Sequence, residues 1–224
     1  MAWTLQDLQE QIASEMDQSP TAPTAGGTDW NIRKNAANRA LLDFKNSNEW
    51  DSLKVPFNSK VTVAGFATVS LPGNFDKMDG YLAIAWDGST TRDFPIINPS
   101  INNLQTDSDY YVNIFSNARD GKYMYIHAGT LASGASISGT MYKSPQSLAS
   151  AIDVIECDDP TYILQRSLYY IYKGREDGRF PEAKVEADRI LARMMENQAA
   201  RGLADRQRFI PNSLQQSGFR IGRD

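Results

Sequence analysis

The most constraining feature of this sequence is a hydrophobic periodicity that changes twice along the chain. Near both ends, apolar residues recur at three- and four-residue steps, as in Leu5, Leu8 and Ile12, whereas residues 58–143 alternate between apolar and polar positions. The first spacing is typical of amphipathic helices, and the second is typical of half-buried strands. The sequence therefore predicts two helical regions that flank a β region.

Capping residues set the boundaries of the predicted helices. Thr4 precedes the first apolar stripe as a candidate N-cap, and Ser144 and Asp159 each precede a proline, which is favoured at the first helical position. Together with the apolar spacing, these signals predict helices over residues 4–17, 28–46, 145–157, 160–172 and 181–200. In the second helix, the polar side is expected to be solvated or to contact a neighbouring subunit; it carries Arg33, Lys34, Asn38 and Arg39.

The β region is divided by Gly, Pro, Asn and Asp residues into five or six short alternating runs, such as Tyr81–Trp86 and Lys122–His127. Strands of this length and spacing are typical of a small antiparallel sandwich or barrel. The predicted fold class is therefore α+β, a helical bundle with an inserted antiparallel β domain and an extended C-terminal arm. The predicted boundaries are residues 1–57 and 144–202 for the discontinuous bundle, 58–143 for the insertion and 203–224 for the arm.

The C-terminal segment differs from the rest of the chain. Its apolar residues follow neither period, and it carries a net charge of +2, which leaves −6 on the remainder. Apolar side chains without periodicity cannot be buried along one helix, so we expect them to bind grooves on a partner, with arginines adding bidentate contacts to carboxylates. The candidate contact residues are Arg206, Arg208, Phe209, Ile210, Pro211, Leu214, Phe219, Arg220, Ile221 and Arg223.

Composition argues against several classes of function. The net charge of −4 and the isoelectric point near 5.1 disfavour a general nucleic-acid coat, and no apolar run is long enough to span a bilayer. One histidine, His127, and one cysteine, Cys157, cannot form a structural zinc site, and a single cysteine fits synthesis in a reducing cytoplasm. We expect a protein without catalytic residues, metal or cofactor.

Aromatic residues are concentrated in the β region, and strand alternation places Tyr123 and Tyr125 on one face. Such a face has two interpretations. It could stack on sugar rings or on another protein, or it could be the core and rim of a small β domain. The full set comprises Tyr81, Trp86, Tyr110, Tyr111, Tyr123, Tyr125 and Tyr142.

The order of elements resembles that of the head-to-tail adaptor, or connector, proteins of tailed bacteriophages. The resemblance extends along essentially the whole chain and depends on layout rather than on one diagnostic motif. The matching stretches are Leu5–Leu8, Trp30–Phe44, Glu49–Leu53, Val61–Val63, Leu71-Pro72, Met141–Pro145, Tyr162–Tyr172 and Glu182–Gln198.

This resemblance implies a viral structural protein of the virion neck. A ring of adaptors, matching the twelve-fold symmetry of the portal, would dock under the portal and join the capsid to a tail or nozzle protein. The C-terminal arm would be the portal-binding segment. DNA would pass through the channel without sequence-specific binding, for which the acidic body is suitable because like charges limit sticking. No membrane would be involved.

Two other classes of function compete with the adaptor. In the first, the β region of a virion tail protein binds carbohydrate or a host surface. In the second, the chain is a carboxylate-dependent glycan hydrolase, which would require two acidic side chains facing each other across a cleft.

Overall fold

The computed structural model describes residues 2–19, 21–61, 68–85, 87, 89–97, 111–117, 121–127 and 131–208, with only the backbone described at 117 and 202–208. The chain divides into two compact units, a helical unit of Met1–Asp51 with Ser147–Asp224 and a sheet unit of Ser52–Gln146. The helices are α1 Leu5–Asp17, α2 Thr28–Ser47, α3 Pro160–Gly174 and α4 Phe180–Arg208. The strands are β1 Lys54–Lys60, β2 Thr68–Ser70, β3 Phe75–Ala85, β4 Thr91–Ile97, β5 Tyr111–Asn117, β6 Gly121–His127 and β7 Ser136–Lys143.

Two helix starts depend on the capping side chains that the sequence indicated. The Thr4 hydroxyl accepts a hydrogen bond from the Asp7 backbone N–H, while the Asp7 carboxylate accepts one from the Thr4 backbone N–H, which completes a capping box. Asp159 caps α3 by accepting from the Thr161 N–H, with Pro160 next to it. Both devices satisfy backbone donors that have no partner within the helix.

The core of the helical unit lies where α3 packs against both α2 and α4. Phe44 and Trp50 are fully buried and stacked, with ring centroids 4.6 Å apart, and the Trp50 indole N–H donates to the Phe44 carbonyl at 2.6 Å. Tyr162 of α3 contacts the Phe44 ring, and Ala187 and Met194 supply the buried side of α4. Aromatic burial is therefore the main apolar contribution around the end of α2.

The sheet unit is a single seven-stranded sheet in the order β1-β7-β3-β4-β5-β6-β2, curled into a half-barrel. Neighbouring strands are antiparallel except β4 and β5, which pair in parallel at Ile96↔Val112 and Ile97↔Asn113. Its inner face holds a continuous apolar core that includes Leu82, Ile84, Phe94, Val112, Met124 and Ile126.

The predicted fold class is therefore wrong in its architecture. The protein is α+β, but the strands form one curled mixed sheet with its own core, rather than a small antiparallel sandwich or barrel inserted in a helical bundle. The parallel β4–β5 pair, which a chain of hairpins cannot produce, is the clearest difference. Strand β4 is absent from the sequence prediction because Pro95 interrupts its pattern.

The helix predicted over residues 145–157 does not form. The Asp153 carboxylate accepts hydrogen bonds from the Ala149 and Ser150 backbone N–H groups, both at 2.7 Å, which folds the segment into a turn. Its backbone also pairs with the start of α1, since Leu5 N–H donates to the Asp153 carbonyl at 2.8 Å. Ile152, whose spacing suggested a buried helical position, is 80% exposed.

The predicted extended arm is also wrong at its beginning. Residues 203–208 continue α4, so the helix ends at Arg208 rather than near residue 200. The rest of the predicted arm, residues 209–224, lies outside the described residues.

Candidate interaction surfaces

A cluster of charged and aromatic side chains joins three helices around Arg166, and we call it the Arg166 cluster. Arg166 Nε of α3 donates to Asp43 Oδ2 of α2 at 2.7 Å, and Arg166 Nη1 lies 3.8 Å from Asp188 Oδ1 of α4. The Tyr170 hydroxyl donates to the same Asp43 oxygen, and the Arg39 guanidinium lies 4.2 Å above the Tyr170 ring. Burial, followed by the Asp43 hydrogen bond, raises the pKa of Tyr170, so its hydroxyl keeps its proton.

Some polar residues of α2 make contacts inside the helical unit, and other residues of the helix form an outward face. Arg33, predicted to be solvated or to bind a neighbour, is buried and pairs with Asp17 at 2.6 Å. Asn38 is also used internally, because its amide donates to the Leu148 carbonyl and accepts from the Leu148 N–H. The outward face recurs at three- and four-residue steps and comprises Ile32, Asn35, Arg39, Leu42 and Asn46.

Asp158 and Asp159, whose adjacency in the sequence allows either a metal pair or helix caps, border a small polar pocket of about 160 Å³. Asp159 combines its capping contacts with an ion pair to Arg193 Nη2 at 2.7 Å. The pKa of Asp159 is lowered, because its hydrogen bonds to Thr161 and Arg193 outweigh the opposing effect of its partial burial. These contacts assign Asp159 to the junction of α3 and α4, as the capping interpretation expects.

The sequence-predicted contact residues fall at the end of α4 and beyond it. The backbone of Arg206 and Arg208 belongs to α4. The other eight candidates lie outside the described residues, so their predicted role stays a prediction: Phe209, Ile210, Pro211, Leu214, Phe219, Arg220, Ile221 and Arg223.

The sheet unit presents a second surface on the outer side of β2, β5 and β6, which we call the aromatic face. Strand pairing aligns its side chains in three rows across the strands. The rows are Ser70–Tyr123–Phe115, Thr68–Tyr125–Asn113 and His127–Tyr111.

The aromatic side chains of this face contact one another. Tyr111 and His127 are stacked with centroids 4.0 Å apart, and Phe115 and Tyr123 are stacked at 5.4 Å. Tyr125 meets His127 edge-on at 4.5 Å. The placement of Tyr123 and Tyr125 on one face is as the alternation predicted, and the two stacked pairs lie on either side of Tyr125.

The single histidine and the single cysteine of the sequence have structural environments. His127 is held between Tyr111 and Tyr125, and burial lowers its pKa. Cys157 lies before α3 rather than on a helix, its thiol donates to the Asp159 carbonyl at 3.3 Å, and burial raises its pKa to about 12. A thiol held protonated in this way is a poor nucleophile.

The described part of the chain also bears on two further features, metal centres and membrane-spanning helices. There, no group of three or more His, Cys, Asp or Glu side chains is arranged to hold a metal ion. Of the helices that the structure describes, none has the length and apolar character needed to cross a membrane.

The Arg166 cluster was not predicted from the sequence, although the sequence carries a signal for it. Arg166, Tyr169, Tyr170 and Lys173 recur at helical steps on α3, and the guanidinium lies 5.0 Å from the Tyr169 ring and 5.3 Å from the Tyr170 ring. A stripe of cations and aromatics on an amphipathic helix indicates cation–π packing on its polar side. The pairing with Asp43 could not be predicted, because it joins residues 123 positions apart.

No protein-family model matches the chain, and no curated protein sequence matches it.

Proposed function

We propose that this protein is a structural subunit of a head-to-tail adaptor ring in a tailed bacteriophage, located in the virion neck. The ring docks under the portal and joins the capsid to a tail or nozzle protein around the DNA channel. The protein acts as a scaffold without catalysis. This proposal starts from the order of elements in the sequence, and the exposed surfaces of the helical unit support it.

The observation that carries the proposal is a set of three exposed apolar residues on two different helices. On α2, Ile32 and Leu42 are 43% and 55% exposed, and on α4, Val185 is 67% exposed. Both helices pack against α3 with their other sides. A ring subunit needs two different faces, because each contact in a closed ring is heterologous. The α2 and α4 faces are the candidates for those two contacts.

The Arg166 cluster supports this assignment because it lies where α3 meets both helices, with its closer contact made to α2. Arg166 reaches Asp43 on α2 and Asp188 on α4 from a single guanidinium. Its side chain is only 19% exposed, so it is held in place by packing. Rigid placement of two docking faces reduces the ordering cost of assembly.

Helix α4 supports the portal contact. Met194 is the last buried residue among its described side chains, which extend to Arg201, yet the helix continues to Arg208. Gln198 still donates to the Glu49 carbonyl at 2.5 Å, so the extension consists of the ten residues after it, about 15 Å of helix at about 1.5 Å per residue. We assign portal docking to the end of this extension and to residues 209–224, including the arginines and the phenylalanines predicted from the sequence.

The proposal is tested by a charge placed on the α2 face. Leu42→Asp is expected to leave folding intact, since the side chain is exposed, but to prevent ring closure on purified portal rings by burying a carboxylate between subunits. Ser14→Asp, on the exposed side of α1, is the matched control. Native mass spectrometry of the complexes gives the number of subunits bound. If Leu42→Asp and Ser14→Asp subunits bind to portal rings in equal numbers, the α2 face is not a contact between subunits.

A further inference from the structure

We propose that the aromatic face of the sheet unit binds a neutral polysaccharide. This activity goes beyond the adaptor role, since it belongs to the other compact unit and uses none of the surfaces assigned to assembly.

Strands β5 and β6 carry two separate apolar surfaces, one on each side of the sheet. On β5 and β6 the inner side chains Val112, Met124 and Ile126 are buried in the sheet core. The alternate residues point outward, and five of them are aromatic: Tyr111, Phe115, Tyr123, Tyr125 and His127. The sheet needs one apolar face for its core, so the second one is in excess of what folding requires. Tyr125 is exposed and the other four rings are half-buried, and an outward aromatic patch of this kind indicates a binding site.

The middle row of the aromatic face, Thr68–Tyr125–Asn113, differs in shape from the other two rows. Tyr125, 40% exposed, has no ring directly opposite it on either side, because Thr68 of β2 and Asn113 of β5 occupy those positions. Asn113 is only 7% exposed and lies between Tyr111 and Phe115 along β5. The face therefore has a polar depression bordered by aromatic rings, with rows about 6.8 Å apart along the strands.

Polar groups at this depression are able to form hydrogen bonds with a ligand. The Asn113 amide nitrogen Nδ2 donates to the Ile97 carbonyl at 2.8 Å, which fixes the amide and gives its oxygen, the acceptor, a defined direction. The hydroxyls of Thr68 and Ser70 lie on the exposed side of β2. One fixed acceptor between aromatic rings, with two hydroxyls beside the rings on the edge strand β2, matches a sugar, whose C–H groups pack on rings while its hydroxyls exchange hydrogen bonds.

The charge of the aromatic face determines which class of ligand fits it. None of the eight side chains that define the aromatic face is Lys, Arg, Asp or Glu. His127 is neutral at pH 7, because burial lowers its pKa from 6.5. A single-stranded nucleic acid also stacks on aromatics, but it requires cations along its phosphates. A charged glycan would likewise need a counter-charge, so an uncharged chain of sugars fits best.

The test is affinity electrophoresis of the full chain through gels containing dextran, laminarin or galactomannan. We expect at least one of these to retard the protein, and we expect Tyr125→Ala to bind about tenfold more weakly because a central ring contact is lost. Tyr125→Phe, which keeps the ring, should retain most of the binding. The matched control is Tyr81→Ala on β3, since Tyr81 is 65% exposed and β4 separates its strand from β5.

Three results would overturn the proposal. The first is that none of the three polysaccharides retards the wild-type protein. The second is equal weakening by Tyr125→Ala and Tyr81→Ala in proteins with unchanged thermal unfolding. The third is Tyr125-dependent binding of oligo(dT) in place of polysaccharide. Because Tyr125→Ala leaves the helical unit intact, its assembly on portal rings is a separate readout, and failure of one proposal does not imply failure of the other.

Discussion

The Asp43 carboxylate accepts hydrogen bonds from both Arg166 Nε, at 2.7 Å, and the Tyr170 hydroxyl, so one acidic residue of α2 anchors two positions of α3. Arg166 stays mostly buried in this arrangement. Removing the partner of a buried guanidinium destabilises the folded protein by more than the ion pair had stabilised it, because the remaining charge stays desolvated. Asp43 is therefore the residue on which the geometry of the Arg166 cluster depends.

Replacing Asp43 should destabilise the helical unit. We expect Asp43→Asn to lower the free energy of unfolding by about 2 kcal/mol, because a charged hydrogen bond is lost from a mostly buried arginine. Asp188→Asn is the control, since its carboxylate lies 3.8 Å from Arg166 and is 54% exposed, and should cost about 0.5 kcal/mol or less. Urea unfolding followed by helical circular dichroism measures both. Equal effects of the two substitutions would contradict this account of the cluster.

Asp177 should give the helical unit an acid-sensitive contact. Arg179 binds the Asp177 carboxylate through its guanidinium and its backbone N–H, which lowers the Asp177 pKa to about 2. A carboxylate with a depressed folded pKa stabilises the protein above its unfolded pKa, near 3.8, and loses that contribution as the pH falls through 2. Carboxyl carbon NMR should show a midpoint near 2, and Asp177→Asn should reduce the fall in melting temperature between pH 4 and pH 2. A midpoint near 3.8 would disprove the contact.

Cys157 should report unfolding of the segment before α3. Its pKa of about 12 leaves almost no thiolate at pH 8, so a maleimide should label the native protein slowly. In urea, burial is lost and labelling should become fast. Mass spectrometry of quenched samples follows the reaction. Equally fast labelling of the native and the unfolded protein would show that the thiol is not protected.

Gly139 should be intolerant of a side chain for a packing reason. A Cβ at Gly139 would lie 2.5 Å from Leu82 Cδ2, and Leu82 is fully buried in the sheet core. We expect Gly139→Ala to destabilise the sheet unit by about 1–3 kcal/mol through overpacking. Gly73→Ala is the matched control, because no atom lies within 4 Å of the position that its methyl group would take and its φ lies outside the left-handed region. Thermal unfolding compares the two, and similar melting temperatures would refute the packing argument.

Local signals in the sequence predicted four helices. Most of the ends of these helices lie within a few residues of their predicted positions. Thr4 and Asp159 mark the starts of α1 and α3 because each side chain caps the backbone next to it. The same reasoning failed at Ser144-Pro145, where no helix follows. There, Asp153 captures two backbone N–H groups, and pairing with α1 replaces helical bonds. Helix α4 passes through Gly202, a residue typical of helix ends, because a single glycine weakens a helix without ending it.

Sheet topology and the candidate surfaces were harder to predict. Alternation predicted the β5–β6 strands and the shared face of Tyr123 and Tyr125, because side-chain direction is a local property. It could not predict that β4 pairs in parallel with β5, which depends on contacts between distant segments. The Arg166–Asp43 pair is non-local in the same way. Leu42 and Val185 are exposed because α3 covers other faces of α2 and α4. Which faces are covered depends on tertiary packing and could not be predicted from the sequence.

Residues 209–224 should be required for portal attachment but not for folding. Truncation after Arg208 keeps all of α4, so the helical unit should retain its unfolding free energy. We expect the truncated protein to lose binding to portal rings, because the proposed anchors Phe209 and Phe219 are removed. Surface plasmon resonance on immobilised portal measures this loss. Unchanged affinity would place the portal contact elsewhere on the chain.

The most direct test of the adaptor proposal is electron cryomicroscopy of the full-length protein mixed with purified portal rings. We predict twelve copies in a closed ring under the portal, with the α2 face of each subunit against the next subunit and the end of α4 directed at the portal. A protein that stays unbound at high concentration, or that decorates the portal without forming a closed ring, would contradict the proposal.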